Sequence, residues 1–184
     1  MSAIQPPAER LWWKQPLDRV EGTWIVIAFV WCMVMFFMMP YWHVYGKQNL
    51  SNEAYRTTPE AYLAKAQAMV DKHTVRTVTE QNIPVVHPVP GSDVYLVARL
   101  WQFWPVLELE EGQTYRLHIM STDWLHGFSL QPENINIQIH PGYEHVVTLT
   151  PTKEGTYSII CNEYCGINHH TMASKLYVVK PKKG

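Results

Sequence analysis

Two cysteines four residues apart, a histidine four further on and a methionine three beyond it make Cys161-Asn-Glu163-Tyr-Cys165-Gly-Ile-Asn-His169-His170-Thr-Met172 the most reactive stretch of the chain. Two thiols, an imidazole and a thioether within twelve residues form a soft donor set. Such donors suit copper better than Mg²⁺, Ca²⁺ or Mn²⁺. Upstream, Asp123-Trp-Leu-His126-Gly-Phe places another imidazole at a strand boundary, where a rigid sheet could hold it beside the loop.

Several chemistries share these residue types. Cys161 and Cys165 could close a disulfide on the oxidising side of a membrane. Zinc on two cysteines and two histidines would leave Met172 idle, since zinc rarely recruits a thioether. A mononuclear blue-copper site takes one cysteine, two histidines and an axial methionine, so a second cysteine is surplus. A two-metal centre uses every member of the set. Taken singly, Met172 would be a core residue and His170 an exposed neighbour. His118, His140 and His145 are expected to face solvent or a partner. Cys32, alone in an apolar run, reads as a buried small hydrophobe.

The elements that must hold these groups are short β-like runs. From Asp93 onward, Val94–Phe103, Val106–Leu109, Tyr115–Met120, Ile135–Ile139, Val146–Leu149, Tyr157–Ile160 and Leu176–Val179 are rich in Val, Ile, Tyr and Leu. Turn signals such as Glu111-Gly112, Pro141-Gly142 and Glu154-Gly155 separate them. About seven strands with no second helix predict an all-β Greek-key sandwich. The cysteine-rich segment follows one strand and precedes another, so it is a loop at one end of that sandwich.

Before the strands, Thr58-Pro59-Glu60 has the form of an N-cap, a proline at the first helical position and an acidic first turn. A helix from Pro59 to about Lys72 follows, with Tyr62, Ala66, Met69 and Val70 on one face. Pro84, Pro88 and Pro90-Gly91 then mark an irregular connector. Gly22 to Gly46 contains no Asp, Glu, Lys or Arg. At about 1.5 Å per residue this run exceeds the roughly 30 Å hydrocarbon core of a bilayer. Trp12, Trp13 and Trp24 flank it on one side, and Tyr41, Trp42 and Tyr45 on the other, like interfacial aromatic belts. No small-residue cleavage site follows, so it reads as a retained anchor rather than a signal peptide. Lysine and arginine counts on the two sides do not decide its orientation.

The predicted layout is an N-terminal interfacial segment over 1–21, a transmembrane helix over 22–46, a connector with a short helix over 47–92, and a sandwich over 93–184. The 184 residues leave room for one ordinary domain plus an appendage. A net charge of −1, with no basic cluster beyond the Lys180–Lys183 tail, excludes a nucleic-acid binder. Glu108, Glu110 and Glu111 either steer a basic partner or form a solvated turn.

These residues carry a family resemblance. The segment resembles the CuA motif of cytochrome c oxidase subunit II, C-x-E-x-C-G-x-x-H-x-x-M, and Cys161, Glu163, Cys165, Gly166, His169 and Met172 meet every position. His126, 35 residues before Cys161, resembles the family's other histidine ligand. The single anchor, Asn134-Ile135-Asn136, Pro141-Gly142 and Ile159-Ile160-Cys161-Asn162 look most like the B-type (ba-type) oxidases. Two departures stand out. The stretch from Ser51 to Pro90 is longer than a compact B-type connector, and Trp101-Gln102-Phe103-Trp104 replaces the usual aromatic electron-entry stretch.

The resemblance implies a cupredoxin-like sandwich carrying dinuclear copper. Cys161 and Cys165 would bridge the two coppers, and His126 and His169 would each bind one. Met172 and the Glu163 carbonyl would be weak ligands, and the Glu163 side chain could reach a Mg²⁺ at the subunit I interface. It further implies a haem-containing subunit I that reduces O₂ and pumps protons, and a soluble electron donor, cytochrome c or a small copper protein. The location implied is a prokaryotic plasma membrane with the copper domain on its outer face. A CuA subunit of a nitric oxide reductase and a membrane-anchored copper chaperone are the alternatives.

Overall fold

The computed structural model describes residues 16–46, 52–78 and 82–181. The chain divides into two compact units, Met1–Gly46 and Lys47–Gly184.

The first unit contains a single helix, α1, Arg19–Tyr45, among its described residues. Asp18 caps it in a reciprocal box: its carboxylate accepts from the Glu21 N–H at 2.7 Å, and Glu21 accepts from the Asp18 N–H at 3.3 Å. The helix therefore starts three residues before the predicted Gly22. Over 27 residues it rises about 40 Å, and by length and composition it is able to cross a membrane. Its apolar side chains are exposed all round. Cys32, expected to be buried, is exposed with them, because it lies on a helix that is apolar on every side. Residues 1–15 of the predicted interfacial segment, with Trp12 and Trp13, lie outside the described residues.

The second unit is a two-sheet sandwich. Its elements in chain order are β1 Asn52–Arg56, α2 Pro59–His73, β2 Thr74–Val78, β3 Ile83–Val86, β4 Asp93–Arg99, β5 Gln102–Trp104, β6 Val106–Glu110, β7 Tyr115–Ser121, β8 His126–Gln131, β9 Ile135–Ile139, β10 Tyr143–Leu149, β11 Gly155–Ile160 and β12 Ala173–Val179. One sheet runs β1-β10-β7-β4-β5 and the other β2-β3-β6-β12-β11-β8-β9. Among the described strands, six of the ten neighbouring pairs are not consecutive in sequence, as Greek-key connections require. Alternate residues of the facing strands fill the core between the sheets: Leu96, Phe103, Leu107, Leu109, Leu117, Ile119, Phe128, Leu130, Ile159 and Leu176. The fold is a cupredoxin-like all-β sandwich.

The stretch 47–92 was expected to be a connector outside the sandwich, and its structure differs. β1 pairs antiparallel with β10, β2 and β3 extend the other sheet beside β6, and α2 packs Tyr62, Ala66, Met69 and Val70 against the body. Tyr62 decides the attachment, because its fully buried hydroxyl donates to the carbonyls of Leu96 and His118, both at 2.9 Å.

His118, which was expected to face solvent or a partner, is buried. Its Nδ1 lies 2.5 Å from Glu144 Oε1 and its Nε2 lies 3.2 Å from Asp93 Oδ1. Lys65 of α2 stands 3.7 Å from the other oxygen of Glu144, so charged neighbours make the burial tolerable. His145 is buried as well, whereas His140 is exposed. Glu108 and Glu110 form neither a steering patch nor a free turn. Glu108 pairs with Arg76, and His87 reaches Glu108 at 3.3 Å and Glu110 at 3.2 Å.

Candidate metal centre

The loop from Cys161 to Met172 connects β11 to β12. Its neck is closed by the Ile160–Ala173 pair of the ladder and by the Cys161 N–H, which donates to the Met172 carbonyl at 3.1 Å. Gly166 has φ +112, a conformation that favours glycine, and it turns the chain after Cys165. A single 3₁₀ turn, His169–Thr171, then brings His169 back toward the cysteines. His126 opens β8, the strand paired with β11, so a rigid ladder carries a fifth donor side chain to the same place.

Three side chains and one backbone carbonyl converge on the two cysteine sulfurs. Cys161 Sγ and Cys165 Sγ stand 3.7 Å apart. His126 Nδ1 faces Cys161 Sγ at 3.9 Å, and His169 Nδ1 faces Cys165 Sγ at 3.5 Å. Met172 Sδ lies 3.7 Å from Cys165 Sγ. The Glu163 carbonyl accepts from Cys161 Sγ at 3.3 Å. Every residue singled out in the sequence therefore meets here, Glu163 through its backbone. The Glu163 carboxylate points away and accepts from Gln138 Nε2 at 2.9 Å.

The donor set fits a metal. Sulfurs at this spacing are not disulfide-bonded, which would need about 2.0 Å. They can each lie about 2.3 Å from a shared ion. Burial, with the neighbouring Cys161 sulfur, pushes the Cys165 thiol up to about 12. Two thiolates side by side in a buried site need a cation to balance them. His126, Cys161 and Cys165 place their ligand atoms within 4.8 Å of one another, the one such group of His, Cys, Asp and Glu among the described residues.

Three supporting contacts had no assigned role in the sequence. Asp123 Oδ1 lies 2.8 Å from His126 Nε2, which directs the Nδ1 lone pair at the sulfurs. Burial works against the Asp123 charge. Hydrogen bonds from His126 and from the Leu100 and Trp124 N–H groups outweigh it and hold the carboxyl below its usual range. The i, i+3 spacing of Asp123 and His126 was the available signal. Trp101 Nε1 donates to the Cys165 carbonyl at 3.2 Å, which puts the indole against the centre. Gly127 allows close approach, since a Cβ there would meet the backbone nitrogens of Asn162 and Glu163 at 2.8 Å. Around the site Trp124 is 62%, Ile167 80% and Tyr164 81% exposed.

A cytochrome c oxidase subunit 2 of Thermus thermophilus is 36% identical over 114 residues, covering 59% of this chain and 84% of that protein. This chain belongs to the cytochrome c oxidase subunit II family. A second subunit 2 from the same species is likewise 36% identical over 114 residues, covering 59% of this chain and 68% of its own length. The family model for the periplasmic domain of cytochrome c oxidase subunit II matches residues 99–179, which include all the converging donors. A chain of a haem–copper terminal oxidase dimer solved by cryo-EM is 21% identical, with a TM-score of 0.52, covering 88% of this chain and 100% of its own. That likeness shows the fold. The Thr58–His73 region falls outside the family match, so the subunit II signature begins after α2.

Proposed function

We propose that this subunit II holds dinuclear copper and serves as the electron-entry point of a haem–copper terminal oxidase. The observation that carries the reading is the symmetry of the donors about the sulfur pair: one imidazole Nδ1 on each thiol, with a thioether and a carbonyl at opposite ends. Cys161 and Cys165 would bridge the coppers, His126 and His169 would take one each, and Met172 and the Glu163 carbonyl would bind weakly. Held by these residues, copper would supply one-electron transfer between a soluble donor and the haem of a subunit I that reduces O₂ with proton pumping.

The chain's own residues contribute rigidity and access. Ladder pairing on β8, β11 and β12 holds the ligands against relaxation, which keeps the cost of a change in charge small. Trp124, Tyr164 and Ile167 offer an apolar face to the donor, a soluble cytochrome c or small copper protein. Glu108 and Glu110 are already paired and add little steering. α1 anchors the chain in a prokaryotic plasma membrane, with the sandwich on the periplasmic side. A nitric oxide reductase partner would use the same centre. A copper chaperone would instead need an exposed, exchangeable site, and both cysteines here are buried.

The test is to mix the copper-loaded full chain, in detergent, with reduced soluble cytochrome c by stopped flow. One electron accepted per chain, with a rate that changes little with salt, supports the reading. Copper leaving the chain without electron transfer sinks it in favour of the chaperone.

A further inference from the structure

We propose that two side chains of edge strand β9, Asn136 and Gln138, clamp the first turn of the metal loop and thereby set the reduction potential of the centre. The proposal rests on the dinuclear copper reading above. β9 is the last strand of its sheet. Ile135 and Ile139 point into the core, and Asn136 and Gln138 are exposed on the other face. Across the ladder Gln138 pairs with Gly127. With no side chain at 127, the loop backbone lies directly on β8.

From β9 the two side chains reach consecutive loop residues. Asn162 Nδ2 donates to Asn136 Oδ1 at 2.9 Å, and Gln138 Nε2 donates to Glu163 Oε1 at 2.9 Å. The next polar atom along the chain is the Glu163 carbonyl oxygen, 3.3 Å from Cys161 Sγ. On the far side of the loop the Trp101 indole holds the Cys165 carbonyl, so the Glu163 carbonyl is positioned by the side chains of β9 together with the β8 backbone beneath it at Gly127. Neither Asn136 nor Gln138 is among the donors around the sulfurs, and both are positioning residues.

The physical consequence is electrostatic. A carbonyl directs the negative end of its dipole at the centre and favours the more positive, oxidised form. Releasing the clamp lets the carbonyl drift outward and raises the potential. The amides of Asn136 and Gln138 do not titrate, so the clamp does not depend on their protonation.

The test uses the full-length chain. Gln138→Leu keeps two coppers per chain, raises the midpoint potential and alters the copper hyperfine pattern. Asn136→Ala shifts both in the same direction. The double variant Q138E/E163Q exchanges donor and acceptor at constant net charge and returns the potential toward the native value. In the metal-free chain, Gln138→Leu speeds amide hydrogen exchange over residues 161–165. A native potential in Gln138→Leu, or a swap that fails to restore it, overturns the tuning role. Unchanged exchange in the metal-free variant overturns the clamp itself without reference to copper. Failure of the dinuclear reading shows separately, in the copper count of the unmodified chain, and would take the tuning role with it.

Discussion

Replacing Gly127 by alanine puts a Cβ 2.0 Å from Asn162 Oδ1 and 2.8 Å from the backbone nitrogens of Asn162 and Glu163. The Asn162 side chain could swing aside, but the two nitrogens belong to the loop backbone and must retreat by about 0.6 Å to reach ordinary contact. The loop neck is pinned by the β11–β12 ladder, so the displacement falls on residues 162 and 163. It pulls against their hydrogen bonds to β9, or else it moves β8 and His126 with it. Overpacking of this kind costs about 1–3 kcal/mol. Urea unfolding of the metal-free chain, followed by tryptophan fluorescence, should show a lower midpoint with an unchanged slope. Copper should also be lost faster to a chelator. A G127A chain within about 0.5 kcal/mol of native stability, with native copper retention, would refute the close-approach argument.

Three further changes test the surroundings of the centre. Asp123→Asn sets an amide N–H against a backbone N–H and weakens the hold on His126 Nε2, so copper affinity by chelator competition should fall about 10–100-fold. Trp101→Phe removes the donor to the Cys165 carbonyl and should lower stability by about 0.5–1.5 kcal/mol in urea, with copper stoichiometry retained. The buried His145 should make the sandwich sensitive to mild acid. Its Nε2 accepts from the His140 N–H at 3.4 Å and its Nδ1 has no partner. Burial, with His140 nearby, holds its pKa below the usual value. The unfolded chain then takes up a proton before the folded one. Stability is present above about pH 6.5 and lost as pH falls through that value toward the depressed folded pKa. His145→Gln should flatten that slope in urea titrations between about pH 5 and 7, and an unchanged slope would remove His145 as its source.

The cluster of soft donors was legible because such residues at fixed spacing stand out, and strands β7, β9, β10, β11 and β12 because their apolar runs match the pleat. Other features left weaker signals. β8 begins His126-Gly127 and alternates poorly, so it passed for a boundary. β1 is exposed at every position and is held by backbone pairing to β10, which leaves no hydrophobic pattern to read. β3 carries Pro84, which argues against a strand. Against β6 the ladder is confined to Val85 and Val86, so Pro84 breaks no pairing there, and on the other side it stands opposite Thr77 of β2. The partners of the buried His118, Asp93 and Glu144, are remote in sequence and reach it through the pairing of β4 and β10 with β7. The β9 contacts to the metal loop are likewise products of the ladder register.

The most direct test is an EPR spectrum of the full-length chain in detergent, with copper counted per polypeptide after loading. Two coppers with a seven-line mixed-valence signal, lost when Cys161 or Cys165 is replaced by serine, is the expected result. One copper per chain with a four-line signal would contradict the dinuclear centre and the electron-entry function built on it.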